Sequence, residues 1–406
     1  MTLPTARAFK QQMGVALAAA NPAEPRCPHA SECGGCAYQD RAYPDQVAAK
    51  ATVLRALWQQ AGIERDIPVI ASPDPYAYRT RMDYVATKGR FGLRIRGKFN
   101  FIVDLETCHL IPPAAFAIAR RLWERARATG LPDYDIRRHT GFLRYIVVRR
   151  SPQDTLLLAA VTASDDDAYL EPMEHLAQLA LQSAGVESFH WLLNDSLTDL
   201  SFGETVRSWG SPTLLMQTGA VQLHIAPNTF FQNNVHLLLP LLDAVRDAVL
   251  ADPVPAASQR IADLYSGVGA IALHLAPHVA NVVAVEAHAQ STELARRNVE
   301  LNRVTNVTCV SFDVADFVQS LTPHSFDTIV ADPPRIGLGP AVCAGLRYLA
   351  PRRIVYVSCN PLTQVTDVQR LLPAYRLVAL TGYDMFPHTP HVESLAVLER
   401  IALQSS

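Results

Sequence analysis

Cys359 stands where an apolar run stops. Residues 354–357 are β-branched or aromatic, as in a buried parallel strand, and Ser358-Cys359-Asn360-Pro361 ends it. In an open α/β sheet, ligands sit in the crevice beyond the carboxyl ends of the strands. A lone thiol there is more often apolar filler than a reactive group. Two carboxylates change the reading. Asp332 closes a second apolar run and is followed by Pro333-Pro334-Arg335, a setting unlike that of core filler. Glu393 precedes Ser-Leu-Ala-Val-Leu, so it sits at the mouth of a third strand. A thiol and a carboxylate so placed suit nucleophilic addition followed by proton removal. A surface salt bridge is the plain alternative for Glu393.

The same half of the chain carries residues that suit an adenosine. Asp263-Leu264-Tyr265-Ser266-Gly267-Val268-Gly269 reads as a strand, a glycine turn that lets a ligand approach the backbone, and a helix start. About twenty residues on, an apolar strand over 282–286 ends in Glu286, whose carboxylate can accept both ribose hydroxyls. No third glycine and no phosphate-binding lysine follow. A dinucleotide or ATP therefore fits less well than S-adenosylmethionine. Asp313, after a strand over 309–312, is a candidate for the adenine amino group, and Gln232 lies in the polar loop 228–234.

A second chemistry lies near the N-terminus. Cys27, Cys33 and Cys36 fall within ten residues, Gly34 and Gly35 allow the backbone to curl, and Cys108 follows later. Four thiolates suit an iron–sulfur cluster or a tetrahedral zinc. The three-plus-one pattern favours [4Fe-4S] over zinc, which usually takes two close pairs. His29 and His109 flank the thiols and are read as surface or neighbouring groups. Seven cysteines is a modest, odd count, which argues against a secreted disulfide framework and for a cytoplasmic protein with reduced thiols.

These residues need elements to hold them. From about 226 the pattern alternates strands and helices, as in a doubly wound α/β, Rossmann-like sheet. The expected strands cover 261–264, 282–286, 309–313, 326–332, 352–359, 377–382 and 392–398, with an amphipathic helix over 236–250. Four segments are expected: a flexible lead-in at 1–25, a cluster segment beginning an RNA-binding region at 26–112, a central β-rich domain at 113–225, and a methyltransferase domain at 226–406. No apolar run approaches the roughly 18 residues of a membrane span.

The 406 residues carry a net charge of −2, which hides a strong asymmetry. Residues 76–150 hold sixteen Arg and Lys against six Asp and Glu; residues 151–225 hold one against ten. The basic stretch has the footprint of a phosphate-binding surface, with a solvated face balanced by its acidic neighbour as the alternative. Residues 88–98 read as a hairpin whose Arg94, Arg96 and Lys98 share one face. Arg144, Arg149 and Arg150 flank an apolar strand, and arginines can clamp phosphates or stack on bases. Residues 153–225 read as further antiparallel strands with one helix over 170–183.

Taken together, the four cysteines, Phe230-Phe231-Gln232-Asn233, Asp263-Leu-Tyr-Ser-Gly-Val-Gly269, Asp332-Pro-Pro-Arg335, Ser358-Cys-Asn-Pro361 and His391-Val-Glu393 resemble the RNA uracil-5-methyltransferases. The likeness runs from about residue 27 to the end and is nearest to the iron–sulfur branch that acts on 23S rRNA. It implies a class I methyltransferase fold, Cys359 as nucleophile and Glu393 as base. It also implies that Gln232, Tyr265, Gly267, Glu286, Asp313 and Asp332 line the S-adenosylmethionine site, with Cys27, Cys33, Cys36 and Cys108 on the cluster. Ser266 departs from the cysteine common in the family. Only 26 residues precede Cys27, so the small β-barrel RNA-binding domain of some members is expected to be missing. The 76–150 region is then expected to bind more of the RNA. A monomer acting on 23S rRNA is the expectation, with tRNA as the alternative substrate. Amino-group methylation at the Asp-Pro-Pro site, cytosine-5 methylation and a catalytically idle iron–sulfur RNA-binding protein are the other readings.

Overall fold

The computed structural model describes residues 3–401. Two sheets dominate it. The first has eight strands in the order Val69–Ile70, Tyr375–Tyr383, Glu393–Arg400, Arg353–Ser358, Thr328–Ala331, Arg260–Leu264, Asn281–Glu286, Val307–Ser311. Glu393–Arg400 is antiparallel to both neighbours; the other pairings are parallel. Its central strands are buried on both sides by helices, which is why they read as unbroken apolar runs. Chain direction across the sheet reverses between Arg260–Leu264 and Thr328–Ala331, so a crevice opens beyond Leu264 and Ala331. All seven strands expected from the sequence are present. The expected amphipathic helix spans Leu238–Leu250.

The second sheet has seven strands, in the order Lys98–Asp104, Arg90–Ile95, Arg81–Thr87, Leu143–Arg150, Leu156–Thr162, Val186–Leu193, Glu204–Gly210. Helices Pro113–Ala128 and Leu170–Leu181 cover one face through a core that includes Tyr84, Phe91, Phe116, Trp123, Ile146, Leu158 and Met173. Leu156–Thr162 and Val186–Leu193 are parallel, joined through Leu170–Leu181. This sheet is therefore mixed, where the sequence suggested antiparallel pairing. It also contains strands from both sides of the expected division at 112/113. Residues 88–98 are one strand with a turn at each end: Lys88 and Gly89 adopt positive φ (49° and 73°) before it, and Gly97 (74°) after it.

The lead-in expected to be flexible is instead a helix, Ala6–Ala16, with Thr5 capping its N-terminus through Ala8 N. Phe9, Met13 and Leu17 share its buried side and pack with Val53, Leu54 and Leu57 of the helix Tyr43–Gln60. The i, i+4, i+8 spacing of these three residues makes an apolar stripe along one side of the helix. Tyr43–Gln60 packs on the eight-stranded sheet, so the N-terminal segment belongs to both halves. Among the described residues no helix is long and apolar enough to cross a membrane.

Candidate active site

Three strand ends converge. Ser358 pairs with Ser394 across the antiparallel ladder, so the next residues outward, Cys359 and Glu393, oppose each other. Asp332 ends the neighbouring strand Thr328–Ala331. Asn360 locks the two loops together. Its Nδ2 donates to Arg335 O at 2.9 Å, while its Oδ1 accepts from Leu362 N at 3.3 Å and caps the helix Pro361–Leu371. The Ser-Cys-Asn-Pro break thus has a local cause: Asn360 and Pro361 are a helix cap and its first residue.

The electrostatics are dominated by crowded carboxylates. Glu393 is buried, and neither carboxylate oxygen has a hydrogen-bond partner. Burial first, then Asp332, push its pKa well above the ordinary carboxylate value; Arg335 opposes the shift. Asp332 accepts from Gln232 Nε2 at 3.0 Å, which opposes a rise driven by burial to about 7. Asp263, wholly buried in its strand, accepts from Ala272 N at 3.0 Å and is raised to about 8 by burial and by Asp332. The half-buried Cys359 is pushed up to about 12 by burial, Glu393 and Asp332, with Arg335 pulling the other way. The site as it stands favours a neutral thiol and protonated acids, and a positive ligand would relieve it.

Beside this cluster lies an open cleft lined by Phe230, Gln232, Tyr265, Gly267, Asp332 and Val357 among others. Glu286 braces the glycine turn of that lining: its Oε2 accepts from Gly267 N at 3.0 Å and its Oε1 from His288 N at 2.8 Å. Tyr265 and Gly267 take positive φ (61° and 55°), and a Cβ on Gly267 would meet open space, so the backbone there is bare toward a ligand. Asp313 is exposed and spends Oδ1 as the cap of Val314–Ser320, accepting from Ala315 N and Asp316 N. The structure thus brings Gln232, Tyr265, Gly267, Glu286, Asp332, Cys359 and Glu393 to one crevice. Asp313 sits at the end of the edge strand next to Glu286.

The loop leading to Glu393 is clamped by the N-terminal segment, a feature the sequence did not disclose. His388 O accepts from Ala37 N at 2.6 Å and Tyr38 N at 3.1 Å, directly after Cys36. Gln46 holds His388 N and Nδ1, at 3.1 and 3.2 Å, and Tyr78 hydroxyl donates to Pro387 O at 3.1 Å. His388 itself has φ 63°, an unfavourable conformation that these bonds enforce. Buried Lys50 pairs with Asp384 at 2.5 Å and donates to Phe386 O at 3.1 Å. Removing one partner of such a pair costs about 3–5 kcal/mol. Gln46→Ala is expected to lower turnover by roughly tenfold while leaving RNA affinity nearly unchanged, since the loop loses its rigid seat. Steady-state kinetics give the check, and a rise in KM alone would refute it.

All four N-terminal thiols, Cys27, Cys33, Cys36 and Cys108, are buried in one neighbourhood; burial first, and then neighbouring thiols, push Cys33, Cys36 and Cys108 up. Arg96 holds the loop, donating to Ala30 O at 2.7 Å and Cys36 O at 2.8 Å. Among the described residues, no three His, Cys, Asp or Glu side chains stand close enough to hold one metal ion. The expected basic face also differs. Arg96 is spent on the cysteine loop and Arg94 on Asp199. Arg144, Arg149 and Arg150 are buried and hold backbone carbonyls of residues 194–198, Pro227, Thr229 and Ala77. A guanidinium with five donors can satisfy several loop carbonyls at once, so these arginines are structural.

A family profile described as tRNA (Uracil-5-)-methyltransferase matches residues 211–401. A tRNA (uracil(54)-C(5))-methyltransferase of Pyrococcus abyssi is 34% identical over 375 residues, which cover 92% of this chain and 85% of the relative. The chain belongs to the RNA uracil-5-methyltransferase family. It is an S-adenosylmethionine-dependent enzyme of that class. The crystal structure of the Pyrococcus abyssi tRNA (uracil-54, C5)-methyltransferase in complex with S-adenosyl-L-homocysteine matches with a TM-score of 0.76 at 32% identity, covering 91% of this chain and 86% of that one. A protein of Nitratidesulfovibrio vulgaris named an uncharacterized RNA methyltransferase is 34% identical over 408 residues, 95% of this chain and 85% of its own.

Three groups at this site escaped the sequence reading: Asp263, whose motif was noted but whose burial was not; Arg335, which faces Cys359; and Asn360, the brace. Asn360 was findable, because Asn before Pro at a strand end is a helix-cap signature.

Proposed function

We propose that this enzyme methylates C5 of a uridine in tRNA, at the position equivalent to 54, through a covalent bond between Cys359 and C6. The observation that carries the mechanism is the convergence of Cys359, Glu393 and Asp332 at one crevice beside the Glu286 cleft. The choice of tRNA rests on the relatives named for it, and it replaces the 23S rRNA expected from the cysteine pattern.

Uracil C5 is a poor nucleophile. Addition of the Cys359 thiolate to C6 moves an electron pair to C5 and O4. Bound S-adenosylmethionine supplies an electrophilic methyl group on a sulfonium. Glu393 then takes the C5 proton, and the released pair expels Cys359 from C6, restoring the ring. Arg335 stabilises the thiolate that begins the cycle. The uridine must leave its stack to reach the crevice. Gln232 and Asp332 would hold the cationic end of the methyl donor, and Glu286 would accept its ribose hydroxyls.

A [4Fe-4S] cluster is the group we propose for the four cysteines, on their three-plus-one spacing and their shared burial. In that case they staple the segment that holds His388. Iron and acid-labile sulfide should be found in anaerobically purified protein, and should be lost in Cys36→Ser.

The test of substrate is methyl transfer from labelled S-adenosylmethionine to unmodified tRNA and 23S rRNA, each followed by digestion to nucleosides. Label in 5-methyluridine from tRNA supports the reading; label from 23S rRNA alone overturns the substrate and keeps the mechanism. The carboxylate cluster adds a pH dependence. Asp332 at about 7 and Asp263 at about 8 hold protons in the free enzyme that a bound sulfonium would drive off. Affinity for S-adenosylmethionine is therefore expected to rise with pH across that range, by about tenfold per unit for each proton released. Titration calorimetry in two buffers of different ionisation enthalpy measures the release. S-Adenosylhomocysteine, neutral at sulfur, should release fewer protons. For stability the sign is opposite. Carboxylates raised in the folded state stabilise it below the ordinary carboxylate value, and that contribution is lost as pH rises through 7 to 8.

A further inference from the structure

The helix-free face of the seven-stranded sheet carries an unusual run of side chains. Loop 194–203 folds over it, held by Arg144 on the Asn194 and Ser196 carbonyls and by Arg94 and Tyr145 on Asp199. Four phenylalanines project from this region into solvent: Phe99 (59% exposed), Phe101 (51%), Phe202 (43%) and Phe230 (69%). Three of them have a guanidinium over the ring: Arg94 on Phe99 at 4.0 Å, Arg137 on Phe101 at 5.4 Å, and Arg81 on Phe202 at 4.3 Å.

The rings are linked by direct contacts. Arg94 joins Phe99 to Asp199 in the loop that carries Phe202. Arg81 joins Phe202 to Pro227 O at 2.9 Å, and Asn228 Nδ2 donates to Gly203 O at 2.6 Å. Two residues later comes Phe230, in the wall of the cofactor cleft. At the far end, Arg94, Arg137, Tyr145 and Lys88 help line a shallow, open pocket. Exposed phenylalanines in water are costly to keep without a partner. Nucleic-acid bases offer a flat face to such rings, and guanidinium groups extend the stack and meet phosphates.

We propose that this face is a track for single-stranded RNA, running from the cofactor cleft to the pocket at Tyr145, in which the guanidinium-capped phenylalanines stack the unpaired nucleotides beside the target uridine. The proposal rests on the RNA substrate of the family and not on the choice of tRNA. It explains how a chain whose buried arginines are spent on loop carbonyls still grips RNA: stacking surfaces replace much of the basic face.

The test is binding of a fluorescent single-stranded oligouridine and of a duplex of equal length to the full chain. Phe99→Ala, Phe101→Ala and Phe202→Ala are each expected to weaken single-strand binding by roughly tenfold, with the slope of affinity against salt unchanged. Arg137→Gln should reduce that slope by about one. Tyr348, an exposed ring on the helix Gly339–Leu349, serves as control, and Tyr348→Ala should bind as the parent does. The substituted rings are solvent-exposed, so each variant should keep the parent's melting curve. Unchanged binding in the three phenylalanine variants, an equal loss in Tyr348→Ala, or duplex binding as tight as single-strand binding would each overturn the track. None of these outcomes depends on which RNA accepts the methyl group.

Discussion

Cys359→Ala is expected to bind RNA and S-adenosylmethionine yet form no covalent adduct, with turnover reduced by at least about 10⁴-fold. Removing a covalent nucleophile costs effects of this order because no other group can open the low-energy route. Binding should survive because the cleft is built from Glu286, Gly267 and Gln232, none of which Cys359 holds in place. The measurement is denaturing electrophoresis of end-labelled RNA incubated with enzyme, beside initial-rate methyl transfer. A retarded RNA band with Cys359→Ala would exclude this thiol. The pH profile of adduct formation in the parent enzyme adds a second check. Burial, Glu393 and Asp332 hold the thiol up to about 12, so the rate of adduct formation should climb with pH through the neutral range. Replacing Arg335 with Gln should steepen the need for alkali, since the guanidinium that favours the thiolate is gone.

Glu393→Gln is expected to do the reverse: the adduct should accumulate while turnover falls by about 10²–10⁴-fold. Glutamine keeps the shape but cannot take the C5 proton, so Cys359 can add to C6 and cannot be expelled. Stability should not suffer. Glu393 is buried with both oxygens unpaired, and burial and Asp332 push its pKa well above the ordinary carboxylate value, so an amide of the same shape adds no buried charge. The parent should lose stability at alkaline pH, as ionisation places an unpaired charge beside Asp332; the variant should lose less. Thermal melting at acid and alkaline pH measures this, and mass spectrometry of the trapped complex should show C5 already methylated. Normal turnover by Glu393→Gln would remove the residue from its role. Together the two variants order the steps: an adduct absent in one and trapped in the other places thiol addition before proton removal.

The legible parts of this protein were those written in local pattern. Runs such as Ile354 to Val357, ending in a short polar break, mark central parallel strands because both faces are buried and no alternation survives. The strand ends then follow, and with them the positions of Cys359, Asp332 and Glu286. Topology adds what spacing cannot. Glu393 lies 34 residues after Cys359 in the chain, yet antiparallel pairing of Ser358 with Ser394 sets the two opposite each other. The basic stretch was legible as composition, but not which of its arginines face solvent. Charge counts treat every arginine as solvated, whereas Arg144, Arg149 and Arg150 are buried on loop carbonyls. The helix Ala6–Ala16 was missed because its stripe of Phe9, Met13 and Leu17 gains meaning only against Tyr43–Gln60.

The sequence by itself therefore determined the sheet, the chemistry available at its strand ends and the family resemblance, since each depends on residue types at short spacing. Only the tertiary structure decided what surrounds them: burial and the neighbouring Asp332 pushing up the carboxyls of Asp263 and Glu393, the cysteine segment seated on His388, and the guanidinium groups lying over Phe99, Phe101 and Phe202. These arrangements join residues as far as 351 positions apart, as Ala37 and His388 are, and contacts at that range arise from packing, which no local pattern encodes.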